Sequence, residues 1–142
     1  MMPFRNQVKN NIEKIKDLDI DIIAPSHGPL YDEPEIIIDA YKRWTSDDVK
    51  NKVVIAYVSM HGSTKKMVEH LTESLMEKGV GVLQFNLVGA DIGKLAIELV
   101  DSAGVVIASP TVLTGAHPAA AYAAFLFNAL RPKTKYLAVI GS

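Results

Sequence analysis

The sequence of 142 residues contains no cysteine. That absence excludes a disulfide scaffold, a zinc finger, an iron–sulfur cluster on thiolates and a cysteine nucleophile. Charge of one sign is also lacking: 15 Lys and Arg against 16 Asp and Glu leave a formal net charge of -1. Such a chain has no bulk attraction for nucleic acid or an anionic membrane surface. Its apolar runs are too short to span a bilayer, and MMPFRNQVKNNIEKIK lacks the apolar centre of a secretory signal. The expectation is a cytoplasmic protein with no nucleic-acid and no membrane partner. Hydrophobic residues make up 49% of the chain, enough for a packed core and too many for disorder.

The apolar pattern changes character along the chain. Phe4, Val8, Ile12 and Ile15 recur at helical spacing behind Pro3, which predicts a helix from residue 3 to about 17. Asp19 to Ala24 reads as a short strand, followed by a Pro- and Gly-rich loop, PSHGPLYDEP. Asp32 and Glu35 have capping-box-like spacing around Pro34, and Ile37, Ala40, Tyr41 and Trp44 form one helix face. Thr45 to Lys52 is polar and reads as a linker.

Beyond the linker, strands and helices alternate. VVIAYV (53–58), VGVLQFNL (80–87), GVVIAS (104–109) and YLAVI (136–140) read as strands, the first and last apolar enough to be buried. Between them lie three helices. The first carries Met67, Val68, Leu71 and Leu75 on one face. The second, capped by Asp91, carries Ile92, Leu95, Ala96 and Leu99. The third, opened by Pro118, carries Tyr122, Phe125, Leu126, Ala129 and Leu130 inward. This βαβαβαβ order implies a doubly wound parallel α/β sheet with right-handed crossovers.

Ligands of such sheets bind at the carboxyl ends of the strands. After the first strand stands Ser59-Met60-His61-Gly62-Ser63-Thr64: hydroxyls and a glycine before a helix start, where backbone N–H groups and the helix dipole favour an anion. This suits a phosphate, or simply a capped helix. After the third strand, Pro110-Thr111-Val112-Leu113-Thr114-Gly115 offers backbone polar groups and apolar contact to a flat ring, or is an ordinary surface loop. Together the two suit a mononucleotide such as FMN. A Walker loop, a GxGxxG loop, an acidic receiver cluster and a GxSxG elbow are all absent. His61 could assist a phosphate, His70 reads as a solvated residue, and His117 before Pro118 shapes the start of its helix.

YVSMHGSTKKM followed by SPTVLTGAHPAAAYAAF resembles the flavodoxin-like half of the flavodiiron proteins. IIAPSHGPLYDEPEIIIDAYKRWTSD resembles the end of that family's metallo-β-lactamase-like domain, which directly precedes it. The resemblance implies a flavodoxin-like sheet of order 2-1-3-4 with the fifth strand missing, preceded by a partial metallo-β-lactamase-like αβα segment. The implied boundaries are 1–46 for the remnant, 47–52 for the linker and 53–142 for the FMN domain. It also implies electron flow from a donor such as rubredoxin or a reduced deazaflavin, through FMN, to a diiron centre that reduces O2 to water or NO to N2O. A head-to-tail homodimer is the family's usual assembly.

The family's phosphate loop maps onto Ser59, Met60, His61, Gly62, Ser63 and Thr64, and its second flavin loop onto Pro110, Thr111, Val112, Leu113, Thr114 and Gly115. His27 matches its last iron-binding histidine, but the upstream ligands have no counterpart, so a diiron centre is not expected in this chain alone. The third flavin loop would begin at about Gly141-Ser142. The expectation is therefore a fragment or split-gene product, with a companion chain completing the fold as the alternative to an autonomous FMN-binding segment.

Overall fold

The computed structural model describes residues 2–141, which fall into two compact units divided between Asp48 and Val49. Ser142, named above at the start of a third flavin loop, lies outside the described residues.

The first unit has a 3-10 turn at Met2–Phe4, then α1 (Arg5–Ile15) and α2 (Pro34–Thr45). Val8, Ile12 and Ile15 are half-buried, and α1 has no fully buried residue. In α2 the buried residues are Pro34, Ala40 and Thr45, and Trp44 meets Tyr41 edge-on at 5.5 Å between ring centroids. Two expectations fail here. Asp19 to Ala24 is not a strand: only Ile23 and Tyr31 form an isolated antiparallel bridge, because no ladder is available to the rest. Asp32 does not cap α2. Pro34 takes the first helical position and forces the residue before it out of the helical region, so the cap falls on Glu33, whose side chain makes no cap bond.

The second unit runs β1 (Lys50–Tyr57), α3 (Ser63–Glu77), β2 (Gly81–Asn86), α4 (Ile92–Glu98), β3 (Ser102–Ser109), β4 (Thr111–Val112), β5 (Gly115–Ala116), α5 (Pro118–Leu130) and β6 (Tyr136–Gly141). The main sheet is parallel, of order β2-β1-β3-β6. This is the expected 2-1-3-4 order, with the numbers shifted by the small β4–β5 hairpin. β1 begins three residues before Val53, because Lys50 pairs with Ser102 and Lys52 with Gly81, so Lys50–Lys52 belong to the sheet rather than to a linker.

Val54, Ile55 and Ala56 on β1 and Val58 just after it, with Val105 and Ala108 of β3 beside them, Val68 and Leu95 from the helices and Leu99 at the end of α4, are buried. The end of α3 explains its own stop: Gly79, at φ 75°, donates to Met76 O while Val80 donates to Leu75 O, a Schellman closure that needs a left-handed residue. Asp91 caps α4 as expected, its carboxylate accepting from Lys94 N at 3.1 Å.

One packing expectation is corrected. α5 buries Ala120, Ala123 and Phe127; Tyr122, Phe125 and Ala129 face solvent, and Leu126 and Leu130 are half-buried. PAAAYAAFLFNAL is apolar all round, so periodicity carries no phase, and the small alanines allow the closer approach to the sheet. The last strand, apolar in composition, is a sheet edge as expected for the fourth strand of this order: β6 pairs with β3 on one side only, and Tyr136, Leu137 and Val139 are exposed there.

Candidate cofactor site at the carboxyl end of the sheet

The chain leaves β1 towards β2 on one side and later returns to β3 on the other, so the topological switch point lies between β1 and β3. Their ends are in register, Tyr57 opposite Ala108, and Val58 N donates to Ala108 O at 2.9 Å. The loops after these two strands therefore stand side by side.

The first loop closes on itself. Ser59 Oγ accepts from Gly62 N and Lys65 N, both at 3.2 Å, which tethers the loop over the first turn of α3. Gly62 is the cap, at φ 89°, a conformation a side chain would strain although open space surrounds it. Thr64 is 0% exposed, and its Oγ1 is buried without a hydrogen-bond partner. A buried hydroxyl left unpaired costs about 1–3 kcal/mol. At the start of a fifteen-residue helix it is an open valence next to favourable dipole and backbone donors. Met60, His61 and Ser63 are exposed on the same loop. Ser102 Oγ is also buried and unpartnered, but it sits inside the β1–β3 pairing, with no loop glycine or helix start around it.

The second loop is not an irregular excursion. β4 and β5 form a two-residue hairpin, with Thr111 opposite Ala116 and Val112 opposite Gly115. The turn residues Leu113 (φ 46°) and Thr114 (φ 70°) are both left-handed, the arrangement of a type I′ turn that usually takes Asn-Gly. Leu and Thr pay about 1–2 kcal/mol each for it. Leu113 is 95% exposed at the tip. Ser109 Oγ accepts from His117 N and donates to Pro110 O, both at 2.9 Å, and His117 Nδ1 accepts from Ala119 N at 3.1 Å. His117 thus caps α5, the shaping role read from its place before Pro118.

A charged cluster absent from the sequence reading lies at the opposite end of the sheet. Lys52 Nζ contacts Glu98 Oε2 and Asp101 Oδ1, both at 2.8 Å, and Lys50 Nζ contacts Asp101 Oδ2 at 2.6 Å. Burial opposes the Lys52 charge, but its bonds to Asp101 and Glu98 outweigh that and raise its pKa. Burial likewise opposes the Asp101 charge, and Lys50 and Lys52 together hold its pKa below the ordinary carboxylate range. Alternating lysines at 50 and 52 were visible; the carboxylates that meet them come from α4 and the turn after it.

His27 sits exposed in the loop before α2. Among the described residues no group of three or more His, Cys, Asp or Glu side chains could hold a metal ion, so the donor set does not fit a diiron centre. No helix of the described residues is long and apolar enough to cross a membrane.

A parallel sheet of this order, with a phosphate-type loop after β1 and a hairpin after β3 at the switch point, defines a flavodoxin-like protein. No protein-family model matches the chain. Known proteins do. The chain is 36% identical over 138 residues to the nitric oxide reductase of Moorella thermoacetica, covering 95% of this chain and 35% of the relative. It is similar in structure to the rubredoxin oxygen:oxidoreductase of the anaerobe Desulfovibrio gigas (28% identity, TM-score 0.92, 99% of this chain and 36% of that one). It is likewise similar to the flavodiiron protein of Giardia intestinalis (27% identity, TM-score 0.88, 97% of this chain and 35% of that one). The chain belongs with the flavodiiron proteins, a family of flavoprotein oxidoreductases, and spans about a third of the length of these relatives.

Proposed function

We propose that the second unit binds FMN at the carboxyl end of the β1–β3 pair and serves as the electron-transfer segment of a flavodiiron oxidoreductase. The observation that carries this reading is the buried, unpartnered Thr64 hydroxyl at the start of α3. Thr64 Oγ1 and the backbone of residues 59–64 would hold the phosphate, with Ser63 and His61 at its open side. Residues 110–115 would lie against the flavin ring and offer main-chain groups to its edge. Bound FMN would supply electron transfer; the protein supplies position and polarity. The electron source is a donor protein or reduced carrier such as rubredoxin or a reduced deazaflavin. The acceptor, a diiron centre reducing O2 or NO, is assigned to polypeptide other than this chain. His27 would contribute a single ligand to the family's iron site. The proposed domain assignment is the end of a metallo-β-lactamase-like domain over 1–46 and an FMN domain from β1 onward.

The test is titration of the purified chain with FMN, followed by flavin fluorescence and the visible spectrum. Quenching with a spectral shift at ~10 μM protein, within the weak range of cofactor binding, is the expected result. Unchanged spectra would refute the reading.

A second reading, a subunit that needs a companion chain, is favoured by β6. Its free edge is apolar, and a groove of about 340 Å³ lined by Val105, Ile107, Phe127 and Leu137 lies beside it. A monomer on size-exclusion chromatography that binds FMN unaided would dispose of this reading.

A further inference from the structure

The hairpin at residues 111–116 is held in a conformation that its own residues disfavour. Leu113 and Thr114 are both left-handed, neither is glycine or asparagine, and only two residue pairs join its arms. Something at its base has to fix it. Ser109 is the residue in that position: its hydroxyl accepts from His117 N, where the excursion returns, and donates to Pro110 O, where it departs. One side chain thereby bridges both ends of the excursion. The bridge continues through His117 Nδ1, which accepts from Ala119 N and ties the returning arm to the first turn of α5. Ser109 is itself anchored, as the last residue of β3 in register with Gly141 of β6.

We infer that Ser109 is a positioning residue for the flavin loop: its hydroxyl clamps the base of the hairpin and keeps the Leu113–Thr114 turn in its ligand-ready form before any ligand arrives. This rests on the FMN reading above, which assigns residues 110–115 but gives Ser109 no part. A preformed loop saves the ordering cost at binding, so loss of the clamp appears mainly as faster release.

The experiment has two arms on the full chain. In the FMN-free protein, hydrogen exchange of the amides from 111 to 116 is compared between wild type, Ser109→Ala and Ser109→Thr, which keeps the oxygen. Ser109→Ala should raise exchange about tenfold in this segment only, and Ser109→Thr should restore protection. In the second arm, FMN affinity is measured for Ser109→Ala in the native turn and in a Leu113→Asn/Thr114→Gly background, whose turn favours the type I′ form unaided. The loss should be about tenfold in the native turn and less than twofold with Asn-Gly. Equal losses in both backgrounds, or unchanged exchange in Ser109→Ala, would overturn the inference. If wild type binds no FMN, the FMN reading falls, and the exchange arm still decides whether Ser109 clamps the hairpin.

Discussion

The two ends of the parallel sheet solve opposite problems. At the amino end, Lys50, Lys52, Glu98 and Asp101 bring two cations to two carboxylates and satisfy one another. At the carboxyl end, a buried hydroxyl is left without a partner, a helix starts on a left-handed glycine, and two ordinary residues hold a glycine-type turn. The first arrangement stabilises the fold and offers a ligand nothing. The second costs stability in the free protein, a cost that the proposed FMN would offset. Ser102 leaves an unpaired buried hydroxyl at the amino end too, but inside a strand pairing and beside matched charges; left-handed backbone together with an unpaired hydroxyl at a helix start distinguishes the carboxyl end.

The largest expected effect tests that contrast at Thr64. Thr64→Val keeps the shape and removes the unpaired hydroxyl. FMN affinity should fall by ~10- to 100-fold, the worth of one hydrogen bond to a charged group. Thermal stability of the FMN-free protein should hold or rise, since an unsatisfied group has gone. A melting temperature that falls together with affinity would show that Thr64 is structural, and the contrast would break. Next comes Lys52→Met at the other end, which removes the lysine from Glu98 and leaves Asp101 with Lys50 alone. It should destabilise the fold by about 2 kcal/mol in urea unfolding, with FMN affinity unchanged. A change in affinity would mean that the two ends are coupled.

The smallest effect is the dependence on pH. The lowered pKa of Asp101 contributes stability that is present above the ordinary carboxylate range and is lost as pH falls through the lowered value. The raised pKa of Lys52 contributes stability that is present below the ordinary lysine range and is lost as pH rises through the raised value. The difference in urea midpoint between wild type and Lys52→Met should therefore be constant from about pH 6 to 9 and shrink on both sides. A difference that grew toward acid would contradict the pairing.

Pattern was enough for the second unit because each of its elements has a neighbour. VVIAYV is apolar throughout, as a strand between two others must be, and Asp91 stands one residue before the helix it caps. Pattern misled where the neighbour was missing or the phase was ambiguous. DIDIIA has strand composition but no ladder, and α5 is apolar on every side, so Ala120, Ala123 and Phe127 take the inward face rather than Tyr122 and Phe125. At the site, the phosphate-type loop was legible from its hydroxyls and glycine. The hairpin was not, because Leu113-Thr114 is a sequence that argues against a type I′ turn. Ser109 was invisible for a related reason: its role depends on an eight-residue return of the chain to His117.

The edge-on contact of Trp44 with Tyr41 has an optical consequence. Trp44 is the only tryptophan of the chain and lies in the first unit, 41% exposed. Intrinsic emission excited at the tryptophan band therefore originates in the α1–α2 unit. The sheet's own chromophore would be a flavin, absorbing in the visible. With FMN bound, one sample would carry a reporter in each unit, tryptophan emission for the first and visible flavin absorption for the second.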